Sequence, residues 1–123
     1  MIVICLMKKI LIVEDDIDTI EIVRYLLEDG GYAVVKIERS MTVSEVAEIN
    51  PDLAVIDFLL PHALGDELCL KIKNDKTTRH IPVILYSASM ALEKIVGNCK
   101  ADAYIAKPFD VDFFMSEIKR LIA

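Results

Sequence analysis

The segment Leu53–Asp57 constrains the fold more than any other stretch, because there an unbroken apolar run ends in a carboxylate. A short apolar run rich in β-branched residues is typical of a strand buried on both faces, as in parallel sheets. An unpaired buried carboxylate is costly, so we expect Asp57 at the exposed carboxyl end of this strand. Open α/β sheets bind ligands at that edge, which makes Asp57 a candidate functional residue, although it could simply cap the next helix.

The same pattern occurs near the start of the chain, where residues 10–13 are apolar and three acids follow at once. Strand and helix patterns then alternate five times, with further strands predicted at 32–35, 53–57, 83–86 and 103–106. Strands that are joined by helical crossovers run parallel, and the crossover connections are right-handed. The sequence therefore predicts an α/β protein with a flavodoxin-like (βα)5 three-layer sandwich and a five-stranded parallel sheet of order 2-1-3-4-5.

Helix ends are marked by capping residues. The first helix is predicted over 17–29, with Asp16 or Asp18 at its start and an Asp18/Glu21 capping box. A second capping box is expected where Thr42 precedes Glu45, and Asp110 is expected to cap the last helix. A weaker helical pattern covers residues 88–96, and the helix at 111–121 is expected to bury Val111 on its core face.

Composition favours one domain in a chain of 123 residues. We interpret residues 1–7 as an N-terminal extension and residues 8–123 as that domain.

A net charge of −6 argues against general binding to nucleic acid or membrane surfaces. The three cysteines are widely spaced and form no C-x-x-C pair, so we expect neither a disulfide framework nor a zinc site. Cysteines of this kind are typical of a reducing compartment, and we therefore expect a cytoplasmic location.

Five functional side chains are predicted at one edge of the sheet. Glu14 and Asp15 follow the first strand, Asp57 ends the third, Ser87 follows the fourth and Lys107 follows the fifth. Like charges about 4 Å apart repel by about 4 kcal/mol in a surface-like dielectric, so three carboxylates need raised pKa values or a cation. Oxygen-only ligands favour Mg²⁺, and the lysine and serine could hold a phosphoryl group beside it.

Several motifs together resemble the receiver domain of two-component response regulators, including stand-alone chemotaxis-type receivers. The matching segments are residues 9–15, Asp57 with Pro61 and Gly65, Ser87-Ala88, and residues 104–109. By this resemblance, Asp57 is the phosphoacceptor and receives its phosphoryl group from a histidine kinase or histidine phosphotransfer protein. Mg²⁺ would be bound by Asp15, Asp57 and the backbone carbonyl of Leu59, with Glu14 acting through a bound water.

The resemblance also implies how the site switches. Lys107 would pair with the phosphoryl oxygens, Ser87 would move in to bond them, and Tyr104 would rotate inward behind Ser87. The Lys107-Pro108 peptide bond is expected to be cis. Binding to an unknown downstream protein would change at the face of the fourth helix, fifth strand and fifth helix, in a monomer or a weak phosphorylation-dependent dimer. Such a protein is a switch rather than an enzyme, limited to self-catalysed phosphoryl transfer and slow autodephosphorylation.

Other interpretations remain open at the level of sequence. A Mg²⁺-dependent phosphohydrolase of the haloacid dehalogenase type also uses an aspartate nucleophile, and residues 16–19 superficially resemble its D-x-D-x-T motif, without the final Thr in register. A flavodoxin-like FMN carrier lacks support, because three acids follow the first strand where a phosphate loop is needed. Individually, Glu14 could be a solvated acid, Ser87 only a helix N-cap, and Tyr104 a packing residue.

Overall fold

Strands and helices alternate through residues 7–60, 63–88 and 99–122, which are the part of the chain that this computed structural model describes. The strands and helices, numbered in chain order, are β1 (Lys9–Val13), α1 (Ile17–Asp29), β2 (Ala33–Ile37), α2 (Val43–Ile49), β3 (Leu53–Asp57), β4 (Leu59–Leu60), β5 (Ala63–Leu64), α3 (Gly65–Asn74), β6 (Val83–Ser87), β7 (Ala103–Ala106) and α4 (Val111–Ile122). No helix among them is long and apolar enough to cross a membrane.

Five strands form one parallel sheet in the order β2-β1-β3-β6-β7. Numbering only these five strands gives 2-1-3-4-5, so the predicted flavodoxin-like topology is confirmed. The register pairs Val13 with Ile56, Asp57 with Tyr86, and Ser87 with Ala106. The carboxyl ends of β1, β3, β6 and β7 therefore meet at one edge of the sheet.

The central strands are buried on both faces because each face is covered by helices. On one face, alternate strand residues pack against buried residues of α2 and α3, including Val46, Leu68 and Ile72. On the other face, the intervening strand residues pack against α1 and α4, including Val23 and Phe114. This double coverage explains why the runs at β1 and β3 contain almost no polar residue, and it gives the three layers expected from the sequence.

Most predicted boundaries match within two residues, and the exceptions have local causes. The residues after Asp57, expected as a loop, form the short antiparallel pair β4–β5. Asp16 occupies the N-cap position of α1 without a side-chain capping bond to the backbone, so the Asp18/Glu21 capping box is wrong. The Asp16 carboxylate instead accepts a hydrogen bond from the Thr19 hydroxyl.

Two other caps form as predicted. Thr42 and Glu45 make a reciprocal capping box at α2, and Asp110 accepts the backbone N–H of Phe113 at 3.0 Å. The last helix was expected to bury Val111 together with Phe114, Ile118 and Leu121; Phe114 and Ile118 are buried, but Val111 is 45% exposed. Residues 1–6, Pro61 and residues 89–96 of the predicted fourth helix lie outside the described residues.

Candidate functional site

Three carboxylates meet at the carboxyl edge of the sheet. Glu14 and Asp15 follow β1 and Asp57 ends β3, and one oxygen from each lies within 4.8 Å of the others. Glu14 and Asp57 are buried, whereas Asp15 is exposed. Because neighbouring parallel strands end at the same level, this convergence follows directly from the sheet order.

Glu14 is fully buried, so its interpretation as a solvated acid is wrong. Its Oε2 accepts the backbone N–H of Asp15 at 3.0 Å. Its Oε1 accepts two donors, the Lys107 ammonium at 2.6 Å and the Tyr86 hydroxyl at 3.1 Å. These donors compensate for the loss of water around the carboxylate, as a buried charge requires.

Asp57 has weaker compensation than Glu14. Its Oδ1 lies 3.8 Å from the Lys107 Nζ and 3.4 Å from the backbone nitrogen of Leu59. Burial, together with a hydrogen bond to Glu14, raises the pKa of Asp57 to about 7, against the attraction of Lys107. Burial also acts to raise the pKa of Glu14, but hydrogen bonds with Asp57 and Lys107 lower it overall. Of these two carboxylates, Asp57 therefore holds a proton more readily than Glu14.

This arrangement fits a divalent cation. All three clustered ligands are carboxylate oxygens, which hard cations prefer, and the exposed Asp15 leaves one side open for water. The Lys107 ammonium forms ion pairs with both buried carboxylates, Glu14 and Asp57. Its single positive charge cannot neutralise three carboxylates. A cation at this position would favour the charged form of Asp57.

The raised pKa of Asp57 predicts a pH-dependent stability. The pKa rises from 3.8 to about 7 on folding, so between these values the folded protein binds a proton that the unfolded chain has lost. The free energy of unfolding should therefore fall as pH rises through this window. Asp57→Asn should remove that loss and make the metal-free protein about 1–2 kcal/mol more stable than the parent at pH 8.

Urea unfolding in EDTA at pH 5 and pH 8 measures this effect. The advantage of Asp57→Asn should be larger at pH 8 than at pH 5. Asp112→Asn, at an exposed residue in the first turn of α4, is the matched control and should show no such change. An Asp57→Asn variant that is less stable than the parent at pH 8 would contradict the assigned electrostatics.

Ser87 and Lys107 are joined through the backbone. Ser87 ends β6 and is almost fully buried, and its carbonyl oxygen accepts the Lys107 N–H at 2.9 Å. The Lys107-Pro108 peptide bond is cis, as expected. Tyr104 lies on the edge strand β7 with 38% of its surface exposed, and the Leu59 side chain is 54% exposed. The roles assigned to the Ser87 hydroxyl, the Tyr104 ring and the Leu59 carbonyl stay predictions.

Tyr86 contacts the candidate site, and the sequence analysis did not identify it. The sequence places it within the predicted strand 83–86, and the residue is fully buried. Its hydroxyl nevertheless reaches Glu14, and the Lys107 Nζ lies 4.3 Å from its ring centroid. Burial and the nearby charges of Glu14 and Asp57 raise the pKa of its phenol, so it is a hydrogen-bond donor. The available signal was a tyrosine at the end of the predicted strand 83–86, next to the polar edge, because buried phenols need a partner.

Comparison with known proteins assigns the family. A family model for the response regulator receiver domain matches residues 10–119. The regulator RpaA of Synechocystis is 33% identical over 94% of this chain and 49% of its own length, so the chain spans about half of that relative. The polar-differentiation response regulator DivK of Brucella ovis is 34% identical over 91% of this chain and 94% of its own length.

A solved structure extends the likeness to three dimensions. The response regulator TrrA of Thermotoga maritima, solved in complex with Mg²⁺-BeF, has a TM-score of 0.79 and 26% identity. The match covers 94% of this chain and 99% of that one. These matches give no support to the haloacid dehalogenase alternative. The chain belongs to the receiver domains of two-component response regulators, which are phosphorylation-activated switches.

Proposed function

We propose that Asp57 of this chain accepts a phosphoryl group from a phosphohistidine, on a histidine kinase or a histidine phosphotransfer protein, with Mg²⁺ as the cofactor. The observation that carries the proposal is the cluster itself. Three carboxylates lie within 4.8 Å, and a lysine ammonium lies 3.8 Å from the proposed acceptor. Residues 8–123 would form the receiver domain, and residues 1–7 an extension of it.

Each residue of the site would have a separate role in phosphoryl transfer. An Asp57 oxygen attacks phosphorus, the phosphorus–nitrogen bond of the donor breaks, and the imidazole keeps the electron pair and takes up a proton. Lys107 already sits beside this oxygen and would turn from Glu14 to the incoming phosphoryl oxygens. Asp15, Asp57 and the Leu59 carbonyl would hold the metal, with Glu14 acting through water. Bound Mg²⁺ would neutralise charge on the carboxylates and the phosphoryl group.

The phosphoryl group would then act as a local charge switch. It adds about −1.5 to −2 charges and three acceptor oxygens at the end of β3. Ser87 would bond one of these oxygens, and Tyr104 on the neighbouring strand would follow it inward. The face that includes β7 and α4 would then bind a downstream protein differently. Receiver domains are signalling switches and not classical enzymes, so slow loss of the phosphoryl group would reset this chain.

Intact mass spectrometry tests the acceptor. After incubation with Mg²⁺ and acetyl phosphate, the parent should gain one phosphoryl group, and EDTA should prevent the gain. Asp57→Asn should gain none. Asp18→Asn is the matched control, because this exposed acid in α1 belongs to the phosphohydrolase motif but not to the cluster, and it should behave as the parent. Equal phosphorylation of Asp57→Asn and the parent, or none in the parent, would refute the proposal.

A further inference from the structure

The side chain of Tyr86 links the two charged groups that the proposed transfer must separate. Its hydroxyl donates to Glu14 Oε1 at 3.1 Å, and its ring lies under the Lys107 ammonium at 4.3 Å. The same Glu14 oxygen accepts the Lys107 ammonium at 2.6 Å. Tyrosine and lysine therefore share one acceptor atom, on a carboxylate that has no exposed surface.

Phosphorylation of Asp57 changes the balance at that shared atom. If Lys107 turns toward the phosphoryl oxygens, Glu14 Oε1 loses its closest donor while the carboxylate stays fully buried. Oε2 would keep the Asp15 N–H, but a buried carboxylate oxygen that loses its donor is disfavoured. Among the described contacts of this oxygen, the Tyr86 hydroxyl is the donor that needs no movement of Lys107 to persist.

We infer that Tyr86 is a positioning residue, whose hydroxyl holds Glu14 while Lys107 moves from Glu14 to the phosphoryl group. This inference rests on the proposed function and deepens it. By keeping Glu14 bonded, Tyr86 weakens the hold of Glu14 on Lys107 and lowers the cost of transferring the ammonium. Tyr86 thereby favours the phosphorylated state without touching the phosphoryl group.

The surroundings of Tyr86 fix its ring in place. The Phe109 ring lies 6.4 Å from the Tyr86 ring at a tilt of 55°, and Phe109 stacks on Phe114 of α4 at 4.8 Å. This aromatic packing orients the phenol toward Glu14. Tyr86→Phe keeps the ring, its packing and its contact with Lys107, so it removes the hydroxyl alone.

The test separates metal binding from binding of a phosphoryl mimic. Calorimetry measures the affinity for Mg²⁺ alone, and NMR titration at saturating Mg²⁺ measures the affinity for beryllofluoride. Tyr86→Phe should bind Mg²⁺ within about twofold of the parent and beryllofluoride about tenfold more weakly, as expected for a lost hydrogen bond to a charged group. Tyr25→Phe, which removes an exposed phenol hydroxyl on α1, should match the parent in both titrations.

A double variant tests whether Tyr86 acts through Glu14. In a Glu14→Gln background, Tyr86→Phe should change beryllofluoride affinity by less than about twofold, because the buried charge that the hydroxyl compensates is gone. The inference is overturned if Tyr86→Phe binds beryllofluoride like the parent, if it weakens Mg²⁺ and beryllofluoride equally, or if its effect persists beside Glu14→Gln. A parent that binds no beryllofluoride would overturn the proposed function as well.

Discussion

Replacing Lys107 with methionine should lower the free energy of unfolding by about 3–5 kcal/mol, since removing one partner of a buried ion pair leaves the other charge uncompensated. Glu14 has no exposed surface, and the Lys107 ammonium is its closest donor at 2.6 Å. Methionine is unbranched and keeps much of the length of the lysine side chain, so packing should change little. Urea unfolding at pH 8 in EDTA measures the loss.

Two further variants show whether that loss is electrostatic. Lys107→Met combined with Glu14→Gln removes both charges of the pair and should recover most of the stability. Lys119→Met removes an exposed ammonium from the last turns of α4 and should change the free energy of unfolding by less than about 0.5 kcal/mol. If Lys107→Met alone were as stable as Lys119→Met, Glu14 would not depend on the lysine.

Gly65→Ala should lower the free energy of unfolding by more than about 3 kcal/mol, because overpacking against backbone atoms cannot relax by a rotamer change. A Cβ at this position would lie 2.0 Å from the Asp57 carbonyl oxygen and 2.9 Å from its carbon. Gly65 begins α3, and its N–H donates to the Phe58 carbonyl at 2.6 Å. Moving the helix to fit a methyl group would displace the proposed phosphoacceptor, so acetyl phosphate labelling should be lost too.

Gly30→Ala is the matched control for Gly65→Ala. A Cβ there would also be close to a neighbour, at 2.8 Å, but that neighbour is the terminal Cε of Met115. A flexible methionine end can move aside, and Gly30 has a φ of −77°, which alanine adopts freely. Gly30→Ala should therefore stay within about 1 kcal/mol of the parent and keep labelling. Similar unfolding curves for the two variants would contradict the steric argument.

The fold was predictable because its central strands are apolar on both faces. Continuous runs at β1, β3 and β6 can be buried only between helix layers, and the alternation of strands and helices then fixes the sheet order. The short β4–β5 pair was not predictable, since an apolar stretch with no Asn-Gly or Asp-Gly turn gives no hairpin signal.

The sequence predicted most residues of the site but not which of their side chains form hydrogen bonds or ion pairs with one another. Sheet order brings Glu14, Asp57 and Lys107 to one edge, yet side-chain rotamers decide that the lysine lies closer to Glu14 than to Asp57. The contact of Tyr86 with Glu14 was not predicted, because hydrophobic periodicity treats a buried tyrosine as a core residue and carries no information on where its hydroxyl points. Pairing of this kind depends on three-dimensional packing, which a linear pattern does not encode.

The residues that pair at the candidate site lie far apart along the chain. Glu14 lies 72 positions before Tyr86 and 93 positions before Lys107, to which it is hydrogen-bonded. A chain still on the ribosome can expose Asp57 long before its balancing cation has been made. Since Glu14 can bond Lys107 only when both residues are present in a folded domain, a chain that ends before Lys107 should be unable to complete the site. The complete set of site contacts thus requires a chain that has been made at least as far as Lys107 and has folded.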